Sequence, residues 1–203
     1  RVRKALTQLS NKVQLWNYQY LTQTDIPSNG IILMKMTHWG ASWTDNQANW
    51  ATMYRLCRAA YFIDASIRYT LYPAEQESTE LMGTWVEIFI LQKRDGEMTT
   101  TPWLDIAENY PYTSVKMWGP QARWHKQAGV LYRILWKKRH YLTNHQKEPL
   151  YYNWHVPLKQ SVQYYDDMEH AVIKNQMFLI VRSDRPASPM PQITWDVRCT
   201  VQE

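Results

Sequence analysis

Ile63-Asp64-Ala65-Ser66-Ile67-Arg68-Tyr69-Thr70-Leu71 is the stretch on which the fold turns. Its odd positions are apolar or aromatic, and its even positions, Asp64, Ser66, Arg68 and Thr70, are polar. Successive side chains of a strand point to opposite faces. The alternation therefore predicts a strand with one face in a core and the other toward water.

The same period recurs downstream. Trp85-Val86-Glu87-Ile88-Phe89-Ile90-Leu91 reads as a second strand, closed by the turn residues Asp95-Gly96. Residues 130–142 form a third, with Val130, Tyr132, Ile134 and Trp136 facing one way. Val156, Leu158, Val162 and Tyr164 mark a fourth, interrupted by Gln160. Met177-Phe178-Leu179-Ile180-Val181 is apolar on both faces, which predicts a central strand. Ile193, Trp195, Val197, Cys199 and Val201 alternate with Thr194, Asp196, Arg198 and Thr200 as the last. Weaker patterns at 13–21 and 31–37 bring the total to about eight.

Helix is expected only in short pieces, over residues 101–107, with Thr101 as cap and Pro102 in the first turn, and over 44–57. Strands without regular crossover helices imply an all-β, antiparallel, eight-stranded sandwich or barrel. Long, unequal connections at 40–61 and 96–128 favour a jelly roll over an up-and-down barrel. An immunoglobulin sandwich lacks its Cys–Trp–Cys spacing here. The 203 residues contain no repeat and no Gly/Ser linker, which predicts a single domain over 1–203, with 1–12 as a basic N-terminal extension.

Hydrophobic residues make up 45% of the chain and charged ones 20%, a balance that supports a packed core and argues against disorder. The net charge of +5 is compatible with a polyanionic partner. Arg1, Arg3 and Lys4 are the densest positive patch at either end, and the chain opens on Arg rather than Met. The expectation is that a more basic segment precedes it. Two cysteines, Cys57 and Cys199, are too few for a disulfide framework and read as buried residues of a reducing, intracellular compartment. No apolar run approaches a membrane span, so no membrane insertion is expected.

Catalytic and metal signatures are missing. The six histidines never form the His-x-His of a cupin metal site. No nucleophile elbow, His-Glu-x-x-His or phosphate loop is present. Asp166, Asp167 and Glu169 read as a solvated acidic turn. The expectation is a protein without enzymatic activity, catalytic residues, metal or cofactor.

The strongest functional signal is basic residues interleaved with aromatics. Arg123-Trp124-His125-Lys126 and Trp136-Lys137-Lys138-Arg139-His140-Tyr141 combine cations that neutralise phosphates with flat rings that stack on unpaired bases. Candidate nucleic-acid contacts are Arg1, Arg3, Lys4, Lys12, Arg123, Trp124, Lys126, Lys137, Lys138 and Arg139. An ordinary solvated strand end is the alternative for Lys137–Arg139. Trp39, Trp43, Trp50, Trp103 and Trp118 fall outside the clear strands. They are candidate subunit-interface residues, because large aromatics in loops need a surface to bury them. The alternative is that these loops fold back over their own sandwich.

From Phe62 onward the order of segments resembles the capsid proteins of circular, Rep-encoding single-stranded-DNA viruses, the circovirus-like group, and more distantly those of geminiviruses. Five stretches carry the likeness. They are residues 63–71; residues 86–91 with Lys93-Arg94-Asp95-Gly96 and Pro102-Trp103-Leu104-Asp105-Ile106; residues 132–142; residues 156–164; and residues 176–184 with 193–201. The resemblance implies a jelly roll with two four-stranded sheets and self-assembly into an icosahedral T=1 shell of about 60 copies. It further implies packaged single-stranded DNA, a virion location, and a nuclear or cytoplasmic stage during assembly. Two rival readings stay open: the capsid of a small RNA virus, and a carbohydrate-binding jelly-roll module whose tryptophans form a sugar platform.

Overall fold

The computed structural model describes residues 12–37, 58–74, 83–95, 123–124, 128–143, 145, 147–165, 172–185 and 188–202. They form β1 (Lys12–Asp25), β2 (Ile31–Lys35), β3 (Ala59–Tyr72) and β4 (Thr84–Asp95). A single helical turn, α1 (Ala128–Leu131), leads into β5 (Tyr132–Leu142). β6 (Leu150–Tyr164), β7 (Val172–Ser183) and β8 (Gln192–Gln202) complete the chain.

Every pairing is antiparallel. β1 pairs β8, β2 pairs β7, β3 pairs β6 and β4 pairs β5. That is the pairing of one long hairpin wrapped around itself, which is how a jelly roll is built. Wrapping sets β3 against β8 and β4 against β7. The first sheet runs β1-β8-β3-β6 and the second β2-β7-β4-β5. They meet at the corner where Gln163 faces Lys174 and Tyr164 faces Val172. The eight-stranded jelly-roll sandwich expected from the alternation is the fold observed.

The main core lies between the sheets. Ala65, Ile67, Tyr69 and Leu71 of β3 meet Ile193, Val197, Cys199 and Val201 of β8, with Val86, Ile88 and Ile90 of β4 and Met177, Leu179 and Val181 of β7 opposite. Ile67 sits at its centre, registered with Val197 on one side and Trp154 on the other. Each such side chain taken out of water contributes about 1.5–3 kcal/mol.

Departures from strict alternation have local causes. Lys159 adopts a positive φ of 51°, and the β3–β6 register slips between Phe62 and Asp64. The slip reverses the faces of β3: Ala60 and Phe62 are buried before it, Ala65, Ile67 and Tyr69 after it, and Ile63, expected on the face of Ala65, is only half-buried. Gln160 keeps the inward side of β6 with Leu158 and Val162, and its Oε1 accepts a hydrogen bond from Gln92 Nε2 at 2.8 Å. A second slip, between Ile90 and Leu91, gives β5 an extra residue near Leu135. Tyr132 and Ile134 therefore face outward, while Leu135 and Trp136 pack on the main core. The single face expected for Val130, Tyr132, Ile134 and Trp136 is thus divided: Val130 belongs to α1 and is exposed, and the bulge separates Ile134 from Trp136.

A second cluster, Phe89, Leu91, Ala128, Tyr132, Phe178 and Ile180, covers the outer face of the second sheet at one end. It explains why β7 is apolar on both faces, and β7 is central as expected, between β2 and β4. Cys199 is fully buried. Cys57, the expected helices at 44–57 and 101–107, and Asp166, Asp167 and Glu169 lie outside the described residues. Among the described residues no helix is long and apolar enough to cross a membrane.

Candidate functional site

Beside that second cluster the outer face of the second sheet becomes charged. β4 alternates Trp85, Glu87, Phe89 and Leu91 on this face, and Glu87 sits where the apolar plating ends. The pairing brings Arg139 of β5 opposite it on one side and Arg182 of β7 on the other. Arg139 Nε donates to Glu87 Oε1 at 2.7 Å, and Arg182 Nε donates to Oε2 at 2.7 Å. A second guanidinium nitrogen of each arginine reaches the same oxygen as its Nε. Lys137 Nζ adds a contact to Oε1 at 2.8 Å.

One carboxylate thus holds three cations. Glu87 and Arg182 are buried, whereas the side chains of Lys137 and Arg139 are 37% and 39% exposed. Burial works to raise the Glu87 pKa, but the charges of Arg182, Lys137 and Arg139 outweigh it and hold the carboxyl below its ordinary range. The cluster carries a net charge of +2, from three cations less one anion.

Two exposed aromatics border it. Trp85 and Tyr141 are cross-strand neighbours with ring centroids 4.9 Å apart, and the Arg139 guanidinium lies 5.7 Å from the Trp85 ring centre. The Trp85 backbone N–H donates to Asp184 Oδ1 at 3.1 Å, and the Gly83 N–H donates to the Tyr141 hydroxyl at 3.1 Å. Gly83 needs its missing side chain: a Cβ there would lie 2.5 Å from the Tyr141 ring.

The inward face of β5 is different. Lys138 turns away from Glu87 and places its ammonium 4.0 Å from the Trp154 ring centre. His140, two residues on, meets Tyr69 and Tyr152 in the gap between the β5 and β6 edges. Trp154 Nε1 donates to the Tyr69 hydroxyl at 3.0 Å, which leaves the hydroxyl proton for His140 Nε2 at 2.6 Å. Burial, assisted by the charge of Lys138, lowers the His140 pKa below 6.5, so a neutral imidazole accepts that bond at neutral pH. The arrangement fits a structural network that closes the sandwich edge.

The other candidate contacts are scattered. Lys12 is exposed at the start of β1, and Arg123 is exposed beside Trp124. Trp124 is half-buried and packs on the second cluster beneath α1, so part of its ring is committed to the fold. Lys137 and Arg139 share one patch, and Lys138 is on the opposite face of the same strand. Arg1, Arg3, Lys4, Lys126, Trp39, Trp43, Trp50, Trp103 and Trp118 lie outside the described residues. Sequence reasoning missed Glu87, Arg182 and Trp85 as members of the patch. Glu87 is 52 residues from Arg139 and 95 from Arg182, and the signal that could have found it was a charged residue inside an apolar strand.

No protein-family model matches the chain, and no curated protein matches it. Among solved structures it is similar to a structure of infectious bursal disease virus, Gx strain, at 10% sequence identity and a TM-score of 0.23. The match covers 95% of this chain and 31% of that one, so the chain spans less than a third of that neighbour's length. A likeness at that score carries no argument here, and the jelly-roll assignment rests on the strand pairing.

Proposed function

We propose that this chain is the shell-forming domain of a viral capsid, that copies of it assemble into a closed icosahedral particle, and that the particle encloses single-stranded DNA. One observation carries the reading. Within the described residues, the stretches that resemble circovirus-like capsid proteins, 63–71, 86–95, 132–142, 156–164, 176–184 and 193–201, fall in order on strands β3 to β8 of a jelly roll or at their ends. Gly96 and residues 102–106 lie outside the described residues. The paired strands 1–8, 2–7, 3–6 and 4–5 supply the two four-stranded sheets that the resemblance implies.

The surface supports assembly. Leu21, Val130 and Tyr151 are 95%, 68% and 77% exposed. Removing such side chains from water against a neighbouring copy is favourable at about 25 cal/mol per Å² of apolar area. In this reading the protein acts by association and not by catalysis.

Electron microscopy and sedimentation of the purified protein test the proposal. Closed particles of uniform diameter are the expected result. A species of one chain's mass under all conditions of pH and salt would overturn it. Nuclease digestion of nucleic acid extracted from the particles separates the genome types: DNase sensitivity is expected, and RNase sensitivity would favour an RNA-virus shell. Selective binding to one sugar class on a glycan array, without particles, would instead identify a carbohydrate-binding module.

A further inference from the structure

We infer that the Trp85–Tyr141 pair, with Lys137 and Arg139 beside it, is a binding platform for single-stranded nucleic acid on the outer face of the second sheet. The inference rests on the reading that the protein encloses a genome, and it assigns the contact to particular residues.

Three observations converge on this surface. First, its charge is positive by construction. The Glu87 cluster, three cations on one carboxylate, has a net +2, and the two cations that reach solvent are Lys137 and Arg139. Asp184 beside the Trp85 backbone adds one negative charge, which Arg185 faces. Second, those cations are pre-positioned. Arg139 spends its Nε–H and one terminal N–H on Glu87, and a guanidinium has five such donors, so the remainder stay available to a phosphate. Because Glu87 is buried and its acceptors are directed at these donors, it fixes the side chains before any ligand arrives and reduces the entropy lost on binding. Glu87 is a positioning residue.

Third, flat apolar surface lies next to the charge. Trp85 and Tyr141 are 37% and 46% exposed, their planes are tilted by 49°, and the Arg139 guanidinium lies 5.7 Å from the Trp85 ring centre. An isolated inorganic anion would use the cations but not the rings. A sugar would use the rings but gain nothing from a net +2. Single-stranded nucleic acid uses both, because its phosphates meet the cations while an unpaired base stacks on the indole. Duplex bases are already stacked on each other, so the platform favours the single strand. Nothing in the patch reads base edges, and binding should be indifferent to sequence.

The test uses the full chain and a short oligothymidylate, followed by fluorescence anisotropy at several salt concentrations, with particle formation scored in parallel by electron microscopy. Trp85→Ala should weaken binding about ten-fold, as expected for loss of one stacked base. Arg139→Gln should lower the slope of log K against log salt by about 0.7, the share of one phosphate on a single strand. Arg68→Ala, which removes an exposed cation from the outer face of the first sheet, should retain wild-type affinity and slope, which guards against a general effect of lost charge. Inorganic polyphosphate of matched charge should compete less well than the oligonucleotide.

Unchanged affinity and slope in both variants that still form particles would overturn the assignment. So would a loss confined to Arg139→Gln, which leaves an electrostatic patch without stacking. Loss of particles in Trp85→Ala with its fold intact would instead make this face a contact between copies. A wild-type protein that never assembles, yet binds the oligonucleotide through these residues, would sink the capsid reading and leave the platform standing. A shell that forms and ignores the oligonucleotide would do the reverse.

Discussion

On β7, Phe178 and Ile180 point away from the main core and are fully buried among apolar neighbours, whereas the outward positions of β8 are polar, with Thr194 and Asp196 buried, Thr200 half-buried and Arg198 exposed. The two strands occupy equivalent places, each flanked on both sides within its own sheet. The difference lies in what covers them. The second sheet is plated on its outer side by α1, Trp124 and the rings of Phe89 and Tyr132, so it is apolar on both faces at one end. The described outer face of the first sheet is polar and holds a group in which Trp16 donates its indole N–H to Asp196 and Arg198 stacks over the indole at 4.4 Å. A jelly roll needs only the core between its sheets. A second apolar layer therefore marks the sheet whose outer surface the chain itself has organised, and the candidate platform adjoins that layer.

The largest expected effect tests the plating. Phe178→Ala removes a fully buried ring from the outer side of the second sheet and should cost about 4 kcal/mol, as it would in a core. Arg68→Ala, on the exposed face of the first sheet, should stay within about 0.5 kcal/mol. Urea unfolding of the two variants is the measurement. If Phe178→Ala is as mild as Arg68→Ala, the second cluster is not a layer and the contrast collapses.

Next in size is Glu87→Gln. It leaves Arg182 buried and charged beside Arg139 and Lys137, and should cost about 3 kcal/mol at neutral pH. Its pH dependence has a definite sign. The folded pKa of Glu87 lies below its ordinary value of 4.5, so an unfolded chain takes up the proton first as the solution is acidified. The gap between wild type and Glu87→Gln should be constant above pH 4.5, then narrow as the pH falls through the folded pKa. A gap that widens on acidification would mean the carboxyl is protonated in the folded state.

Much of this is legible in the sequence alone. Alternation in 65–71 and 193–201 identified β3 and β8, because one face of each is apolar and in the core and the other is polar, although Thr194 and Asp196 on that polar face are themselves buried. Double-sided apolarity identified β7 as central. Strand β5 was harder, since Val130 and Leu131 continue its apolar pattern into α1 and the bulge near Leu135 reverses the faces within the strand. Alternation says only that neighbours differ in face, so it cannot register a mid-strand change of parity. The site was half legible. The run Lys137-Lys138-Arg139 was visible as a basic tripeptide, but strand geometry divides it, sending Lys138 to Trp154 and the other two to Glu87. Their common partner is set by strand pairing across 52 residues, a distance that composition and spacing do not encode.

Asp196→Asn probes the Trp16–Asp196–Arg198 group on the other face. Asp196 is 3% exposed, so its hydrogen bonds are not easily replaced by water. The amide oxygen of Asn can still accept from the Trp16 indole, and what is lost is the charge facing Arg198 Nε at 3.7 Å. The expected cost is about 1 kcal/mol, well below that of Glu87→Gln, because Arg198 is 44% exposed and water solvates it when its partner is neutralised. Equal costs for the two carboxylates would erase the distinction between the faces.

The smallest effect, and the finest test, is Arg198→Gln. Its guanidinium makes two weak contacts, a loose ion pair with Asp196 and a stack on Trp16. An exposed ion pair contributes about 0–1 kcal/mol and is screened by salt, while an exposed cation–ring contact contributes about 0.5–1 kcal/mol. The sum is limited further because both contacts fix the same flexible side chain, whose ordering costs entropy once. A loss of about 0.5–1 kcal/mol is expected in dilute buffer. At about 1 M salt, where the screening length is roughly 3 Å, the ion-pair share should vanish and the packing share should remain. Arg139→Gln on the second sheet should respond less to the same salt, because Glu87 is buried and its pairs are shielded from mobile ions. Chemical unfolding of both variants at low and high salt compares the two sheets directly. If Arg198→Gln costs more and resists salt better than Arg139→Gln, the first sheet holds the better-organised charged surface, and a search for the nucleic-acid platform should move there.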